Sequence, residues 1–373
     1  MPDIALKNLL HDRVRFIATL LGVAISVVMM FAQVGIYLGY MQNASIIIDN
    51  TAADIWITSK NSANFDFPLT FSEGKLSRVK GVPGVAWAEH LVLGWVNMKL
   101  ANGGSESIEL IGFNPNTGVG GPWRLREGSI EALKAGAGII VDESAFPKLG
   151  QLRVGDYVEI LESRVKIVGI SQGIRGFTTA PYVFTSYSAA QDIVPWLRQR
   201  TVFIVAGLQP QADTAAVLRE LKTIPNVDVY TKQQYSLKTR LYWTWETGIG
   251  VGFGLTAVMA LIVGMVIVGQ TIYTATIEHI REFGTLKAIG ATNREVYGII
   301  LKQAIVNAVL GYAVALVTWA IALRLMSAAG LAVVLPTSLM GIVFIVTLLM
   351  CLSSSYLSVR KALHVDPVMV FRS

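Results

Sequence analysis

The chain has 373 residues, of which 53% are apolar and 15% are charged, and its formal net charge is +6. Soluble domains carry about 25% charged residues, so this shortfall, with a mean hydropathy of +0.53, indicates membrane spans and excludes a disordered or collagen-like chain. The single cysteine, Cys351, excludes a disulfide within the chain and a zinc site built from several cysteines.

Four stretches lack Asp, Glu, Lys and Arg over a length that can cross a bilayer, which takes about 20 apolar residues. The first is too long for the apolar region of a signal peptide, which is about 7–15 residues, so we interpret it as a retained anchor. Pro336 suits the first turn of the fourth helix. The predicted spans are 16–43, 246–277, 296–323 and 336–359.

Positive charge beside the spans predicts the topology. Three Lys or Arg precede the first span, four lie between the second and third, and three follow the fourth, whereas Arg324 alone lies between the third and fourth. Because positive residues favour the cytoplasmic side, both termini and the loop 278–295 are predicted to be cytoplasmic. The tail 360–373 then lies inside, and the short loop 324–335 and the domain 44–245 lie outside.

The segment 44–245 is predicted to be a folded α+β domain, because short β-branched and aromatic runs alternate with helical patterns and polar turns. The pattern leaves open whether it forms one body or two. Tyr242, Trp243 and Trp245 near its end fit an aromatic belt at the membrane surface. Predicted strands are 53–58, 92–100, 107–113, 138–141, 157–161, 165–170, 182–185 and 201–205, and predicted helices are 72–79, 129–135, 186–193 and 212–224.

Sequence patterns of enzymes are absent. The nearest fragment to a P-loop, Glu73-Gly74-Lys75, lacks both the upstream Gly and the following Ser or Thr, so the chain is not expected to bind ATP through such a loop. The four His residues are scattered, which argues against a metal site. We therefore predict no catalytic residues, no metal site and no cofactor on this chain, and no nucleic-acid partner.

Glycines recur four residues apart in the first two spans, a spacing that lets helix backbones approach closely. Gly35 and Gly39 lie in the first span, and Gly248, Gly250, Gly252 and Gly254 lie in the second. These positions are candidates for a helix interface, either within the chain or between two copies. The alternative is the ordinary enrichment of Gly in membrane helices.

The predicted cytoplasmic loop 278–295 carries the most informative pattern. Residues 278–289 have apolar positions at helical spacing, Gly290 is a C-cap signal, and Thr292 with Glu295 forms a capping box that starts the third span. The loop should therefore be a short helix, a sharp turn and a capped helix, which suits the docking of a partner protein.

In this loop the sequence EHIREFGTLKAIGAT, from Glu278 to Thr292, resembles the pattern E-R-x-x-E-I-G-x-L-[RK]-A-[IL]-G-A-[ST] of FtsX/MacB-like (type VII) ABC transporter permeases, in particular the DevC type. His279 and Phe283 depart from it mildly. The tail 360–372 and the segments 154–160 and 165–169 also look like this family. Residues 1–15 resemble its amphipathic helix on the cytoplasmic membrane surface.

The resemblance implies a function for each segment. Family members form homodimers in the bacterial inner membrane and dock a separate cytoplasmic ATPase, which holds ATP and Mg, at the loop. They pass its motion through the spans to the MacB-like periplasmic core domain, a process called mechanotransmission. DevC-type members act with a periplasmic adaptor and a TolC-like outer-membrane duct and export amphipathic molecules such as glycolipids. The ATPase-coupling residues implied here are Glu278, Arg281, Glu282, Phe283, Gly284, Leu286, Lys287, Ala288, Gly290 and Ala291.

Two other functions stay open from the sequence. One is an FtsX-like signalling protein that regulates a periplasmic hydrolase without transport. The other is an anchored external binding or sensor domain without an ATPase, although such a protein does not need a capped loop between two spans.

Overall fold

The computed structural model describes residues 13–178, 180–278, 282, 284–285, 289–328 and 331–362. The chain divides into two compact units. The helical unit comprises Met1–Tyr40 and Gly248–Ser373, and the core unit comprises Met41–Thr247.

Helices and strands are numbered in chain order. The α-helices of the described residues are α1 Arg13–Ala44, α2 Ile46–Asn50, α3 Lys75–Lys80, α4 Phe146–Leu149, α5 Tyr187–Ile193, α6 Thr214–Leu221, α7 Lys232–Leu241, α8 Ile249–Glu278, α9 Asn293–Ala328 and α10 Thr337–Ala362. Short 3-10 helices cover Glu131–Ala135, Glu143–Ala145 and Pro195–Leu197, and a π-helical turn covers Tyr242–Glu246. The strands are β1 Ile55–Ser59, β2 Phe71–Ser72, β3 Val85–Lys99, β4 Ser105–Phe113, β5 Leu125–Gly128, β6 Gly138–Asp142, β7 Tyr157–Ile160, β8 Ser163–Ser171, β9 Tyr182–Ser186, β10 Arg200–Thr201, β11 Phe203–Leu208 and β12 Val227–Thr231.

Among the described residues, α1, α8, α9 and α10 are long and apolar enough to cross a membrane. They lie where the four spans are predicted. Every boundary differs by a few residues: for example, α8 begins at Ile249, after Gly248 adopts a φ of +73°, and α9 continues to Ala328, into the predicted loop 324–335. The 32 residues of α1 correspond to about 48 Å of helix, more than the hydrocarbon core of a bilayer, which is about 30 Å.

The core unit is built on one continuous order of strands, β12-β1-β11-β3-β4-β9-β6-β8-β5, with β7 beside β3 and β8. Most pairs are antiparallel, whereas β4 with β9 and β6 with β8 are parallel. Strand β1 is buried on both faces: Trp56 packs in the larger core, while Ile55 and Ile57 pack in a smaller core with α6. This domain therefore has two hydrophobic cores within one compact unit, and it is α+β as predicted.

Several elements differ from their predicted limits. Strand β3 begins at Val85 rather than at residue 92, and the predicted helix 129–135 is a 3-10 helix. The helix predicted at 212–224 is the shorter α6, whose N-cap Asp213 accepts a hydrogen bond from the Ala215 amide at 2.9 Å. Elements α2, α7 and β12 were not predicted, so the core unit has more helices than the sequence indicated.

Candidate functional site

Helices α1 and α8 pack side by side in opposite directions within the helical unit. Small residues allow the close approach: a Cβ added to Gly22 would meet Ile267, and one added to Gly264 would lie 2.7 Å from Ser26 Oγ. Further along the pair, the rings of Tyr37 and Phe253 lie 6.1 Å apart. The two helices thus form a continuous antiparallel pair, and Gly22 and Gly264 are interface glycines that the four-residue spacing did not single out.

At the other end of this pair an ion pair joins the start of α1 to the end of α8. The Arg15 guanidinium donates to both carboxylate oxygens of Glu278, at 2.5 and 2.9 Å. Its planar fork matches the two oxygens, a geometry that fixes orientation as well as distance. Glu278 is also the first residue of the predicted coupling segment, so the ion pair ties α1 to the beginning of the α8–α9 loop.

The end of the α8–α9 loop has the predicted signals. Gly290 adopts a φ of +105°, which glycine tolerates best, directly after Ile289, whose amide donates to the Thr285 carbonyl at 3.0 Å. The Thr292 amide donates to Glu295 Oε2 at 2.8 Å, and the Glu295 amide donates to Thr292 Oγ1 at 3.4 Å. The capping box is therefore confirmed, and it fixes where α9 begins.

The structure places only part of the predicted coupling segment. Glu282, Gly284, Gly290 and Ala291 are described and are exposed or half-buried. Ile289, which lies between them but is not among the implied coupling residues, leaves 81% of its surface exposed. The role of the segment in docking stays a prediction. The implied coupling residues Arg281, Phe283, Leu286, Lys287 and Ala288 lie outside the described residues.

The glycines singled out by spacing differ in what they approach. Gly35 and Gly39 face the extended backbone before α10: the Val334 amide donates to the Gly35 carbonyl at 3.0 Å, and a Cβ on Gly39 would overlap the Ala332 carbonyl. By contrast, a Cβ on Gly248, Gly252 or Gly254 would meet nothing within 4 Å. Within the described chain, Gly35 and Gly39 therefore contact the non-helical segment 331–336, called here the strap, rather than another helix. A role of the second set, including Gly250, between two copies stays a prediction.

In the core unit, the chain after α1 is tied to the chain before α8. Arg240 in α7 donates from Nε to Ser45 Oγ at 2.7 Å and from its terminal nitrogen to Asp49 Oδ2 at 2.6 Å. Ser45 Oγ also donates to the same Asp49 oxygen at 2.7 Å. This three-residue network holds the two connections of the core unit together. No local pattern predicts this network, because Arg240 lies 195 residues from Ser45 and 191 residues from Asp49.

The aromatic segment before α8 is not a simple interfacial belt. Trp245 is 67% exposed, as an interfacial residue would be, but Trp243 is 8% exposed. The Trp243 ring lies 4.2 Å from the Phe177 ring, and its Nε1 donates to Asp66 Oδ2 at 2.7 Å. The prediction is thus wrong for Trp243, which belongs to the core because a buried carboxylate supplies the acceptor that its indole N–H needs.

An open groove of about 640 Å³ lies beside α7 and the π-helical turn. The exposed apolar side chains of Leu237, Leu241 and Trp245 line it, together with Lys222 and Lys238. Glu246 also lines the groove, so it combines apolar side chains with charges of both signs. Among the described residues, no group of three or more His, Cys, Asp or Glu could hold a metal ion.

Comparison with known proteins extends over nearly the whole chain. The family described as "MacB-like periplasmic core domain" matches residues 16–224, and "FtsX-like permease C-terminal" matches residues 254–367. An uncharacterized ABC transporter permease of Mycobacterium tuberculosis is 23% identical over 368 residues, 98% of each chain. Another, from Mycobacterium bovis, is 22% identical over 371 residues, again 98% of each chain.

Two solved structures resemble part of the chain at lower similarity. The periplasmic region of MacB from Actinobacillus actinomycetemcomitans is 11% identical with a TM-score of 0.40, covering 50% of this chain and 94% of that one. The extracellular domain of the transporter YknZ from Gram-positive bacteria is 12% identical with a TM-score of 0.37, covering 47% and 98%. The family matches on both sides of residue 250, with relatives matched end to end, establish that this chain belongs to the FtsX/MacB-like (type VII) family of ABC transporter permeases.

Proposed function

We propose that this chain is the permease subunit of an ABC exporter that passes motion from a separate cytoplasmic ATPase to an external core domain. The observation that carries the proposal is the antiparallel pair of α1 and α8. Arg15 and Glu278 tie the pair beside the α8–α9 loop, and Arg240, Ser45 and Asp49 tie the connections of both helices in the core unit. Contacts are therefore present beside the loop where the ATPase would dock and at the connections of both helices to the core domain that would be moved.

Helices suit this role because each of their interior backbone groups is hydrogen-bonded within the helix, as the membrane requires. Helix α8 has 30 residues, which corresponds to about 45 Å. Within the helical unit, the close packing at Gly22 and Gly264 opposes sliding of α1 against α8. A displacement of the α8–α9 loop would then reach the core unit as a movement of both helices together.

The location of the ATPase follows from the charge pattern. The Lys and Arg beside the spans support a cytoplasmic position for both termini and the α8–α9 loop. The rigid turn at Gly290, the capped start of α9 and the exposed Ile289 suit a docking surface there. ATP and Mg belong to the partner ATPase in this proposal, and the permease itself is not an enzyme.

A homodimer and an amphipathic export substrate are finer parts of the proposal. In the most apolar 18-residue window of α8, only 17% is buried by the rest of the chain. The remaining apolar surface is free to contact lipid or a second copy. The groove lined by Leu237, Leu241 and Trp245 supports contact between the core unit and an amphipathic substrate, such as a glycolipid. A periplasmic adaptor and a TolC-like duct would complete the route out of the cell.

The test is a charge reversal in the coupling segment. The full chain is co-expressed with a candidate ABC ATPase from the same genome and purified in nanodiscs, and ATP turnover is measured for wild type, Glu282→Lys and the control Glu162→Lys. Both glutamates are exposed, but Glu162 is in the core unit. We expect Glu282→Lys to weaken co-purification and the stimulation of turnover, whereas Glu162→Lys keeps both.

Two results would contradict the proposal. One is equal turnover for wild type and Glu282→Lys. The other is labelling of a cysteine at position 291 from the same side of the membrane as one at position 213, since no cytoplasmic ATPase could then reach the loop. If the complex forms and turns over ATP but deletion of the gene changes cell-wall hydrolysis rather than export, the FtsX-like signalling function replaces export.

A further inference from the structure

A short segment of the core unit carries a carboxylate into its interior. Asn64, Phe65 and Asp66 are at most 1% exposed. The segment is held through its backbone: the Phe65 amide donates to Thr239 Oγ1 at 3.3 Å, and the Asp66 carbonyl accepts from Trp95 Nε1 at 2.8 Å. Asp66 is therefore fixed in place by contacts that do not depend on its side chain.

The carboxylate of Asp66 is only half satisfied. Oδ2 accepts hydrogen bonds from Trp243 Nε1 at 2.7 Å and from Asn64 Nδ2 at 3.1 Å. Oδ1 is buried and has no hydrogen-bond partner among the described residues. An ionised carboxylate that is buried with one unpaired oxygen is costly, and a proton on Oδ1 removes that charge.

A second buried carboxyl group interacts electrostatically with Asp66. Glu109 on β4 is 0% exposed, accepts a hydrogen bond from Thr178 Oγ1, and leaves Oε2 without a partner among the described residues. The negative charge of Asp66 also acts on the phenols of Tyr182 on β9 and Tyr235 on α7, and that of Glu109 acts on Tyr182. No Lys or Arg forms an ion pair with Asp66 or Glu109 in the part of the chain that the structure describes.

Burial without a compensating cation keeps this pair protonated at unusually high pH. Burial raises the pKa of Asp66 from 3.8 to about 6, although the hydrogen bond from Trp243 lowers it in part. Burial and the negative charge of Asp66 raise the pKa of Glu109 well above its ordinary value. Burial therefore moves the loss of a proton from Asp66 to about pH 6, and it keeps Glu109 neutral to a higher pH than usual.

The group that Asp66 holds lies at the connection to α8. Trp243 belongs to the π-helical turn Tyr242–Glu246, and α8 starts at Ile249, three residues after that turn ends. Single π-helical turns are strained and are frequent at functional sites. The Trp243 ring packs on Phe177 and lies 5.8 Å from the Phe67 ring, so Trp243 is the buried anchor of the turn, beside a contact of Tyr242 with Phe67 at 6.4 Å.

We propose that Asp66 is a positioning residue: its carboxyl group holds Trp243 and the π-helical turn in the closed position, and ionisation favours an open turn in which the charge reaches water, because the cost of a buried charge exceeds the strengthening of the Trp243 hydrogen bond. The connection between the core unit and α8 would then respond to the pH outside the membrane. The consequence for transport rests on the proposed function. The release of the turn does not, because it concerns the core unit alone.

The pH dependence has a definite sign and size. A folded-state pKa of about 6 against an ordinary 3.8 gives stability that is complete below 3.8 and is lost as the pH rises to 6. If the open turn exposes Asp66, its ordinary pKa applies there, and the opening equilibrium grows about tenfold between pH 5 and pH 7.5. Above this range the increase levels off, because Asp66 is then ionised in both states.

The experiment is hydrogen–deuterium exchange of the full-length permease in nanodiscs, without ATPase, at pH 5, 6, 7 and 7.5. Exchange in the peptide 240–247 is divided by that of Asp66→Asn at the same pH, which cancels the intrinsic effect of pH on exchange. The amide oxygen of the variant still accepts from Trp243 but cannot ionise. We expect the ratio to rise about tenfold from pH 5 to pH 7.5.

Two further variants keep the proposal falsifiable. Asp192→Asn changes an exposed carboxylate of α5, and exchange in this variant should follow that of wild type at every pH. Trp243→Phe keeps an aromatic ring but removes the donor, so its turn should exchange faster at every pH. A wild-type to Asp66→Asn ratio that changes less than twofold over this range would overturn the proposal, even if ATPase docking is confirmed.

With the ATPase present, a positioning role predicts one more result that a purely structural role does not. The stimulation of ATP turnover by wild type should change through pH 6 relative to Asp66→Asn, and this relative change should be absent for Asp192→Asn. If the docking proposal fails, no stimulation is seen for any variant, and the exchange result still decides the role of Asp66.

Discussion

Replacing Ile289 by serine should weaken the docking of the ATPase while leaving the permease folded. Ile289 is 81% exposed and lies directly before the turn at Gly290, so its side chain adds little to the stability of the chain itself. If the partner buries it, the loss of a fully buried isoleucine side chain costs about 1.5–3 kcal/mol. This corresponds to an increase in Kd of about 10- to 100-fold, since each 1.4 kcal/mol is about tenfold.

The assay is a titration of the fluorescently labelled ATPase into nanodiscs that contain the permease. The control is Leu69→Ser, because Leu69 is 51% exposed but lies in the core unit. We expect an unchanged unfolding temperature for both variants and a weaker Kd for Ile289→Ser alone. A Kd within twofold of wild type for Ile289→Ser, or equal weakening by Leu69→Ser, would refute the docking surface.

The remaining predictions concern the stability of each unit, measured by thermal unfolding of the purified chain. Gly264→Ala should destabilise the helical unit by about 1–3 kcal/mol, because its Cβ would lie 2.6 Å from Met350 Sδ and 2.7 Å from Ser26 Oγ, whereas Gly252→Ala should be tolerated unless a second copy packs there. Asp142→Ala should cost the core unit about 3 kcal/mol, since the buried carboxylate accepts from Ser144, Ser171 and Ile174, and Asp142→Asn should cost less. Arg15→Ala should cost under about 1 kcal/mol because Glu278 is half exposed, and a loss of several kcal/mol would show that the pair is stronger than its exposure indicates.

The parts of the fold that follow from local sequence could be predicted. The apolar runs gave the four long helices, and Gly290 and Thr292 with Glu295 gave the turn and cap before α9, because these signals involve residues at most a few positions apart. The motif beginning at Glu278 pointed to the family that the comparisons show.

What depends on distant contacts was missed. Trp243 reads as an interfacial aromatic, since only the folded core brings Asp66, 177 residues earlier, to its indole N–H. Gly35 and Gly39 have the spacing of a helix interface, but they contact an extended segment almost 300 residues later. The four-residue spacing of glycines predicts that another backbone packs closely there, but it does not identify the segment to which that backbone belongs. Strand β12 was missed because it has only five residues and contains Asp228, a residue type that is depleted in strands.

The strap before α10 restricts how the helical unit can deform. The Val334 amide donates a hydrogen bond to the Gly35 carbonyl of α1, and the Ala332 backbone lies so close to Gly39 that no methyl group would fit there. Because this segment precedes α10 and follows α9, lengthwise sliding of these helices past α1 would break the Val334–Gly35 hydrogen bond and the close contact at Gly39. A lengthwise movement of α9 and α10 that keeps these contacts would have to move the C-terminal part of α1 with it, whereas a tilt of the helices could leave the contacts in place.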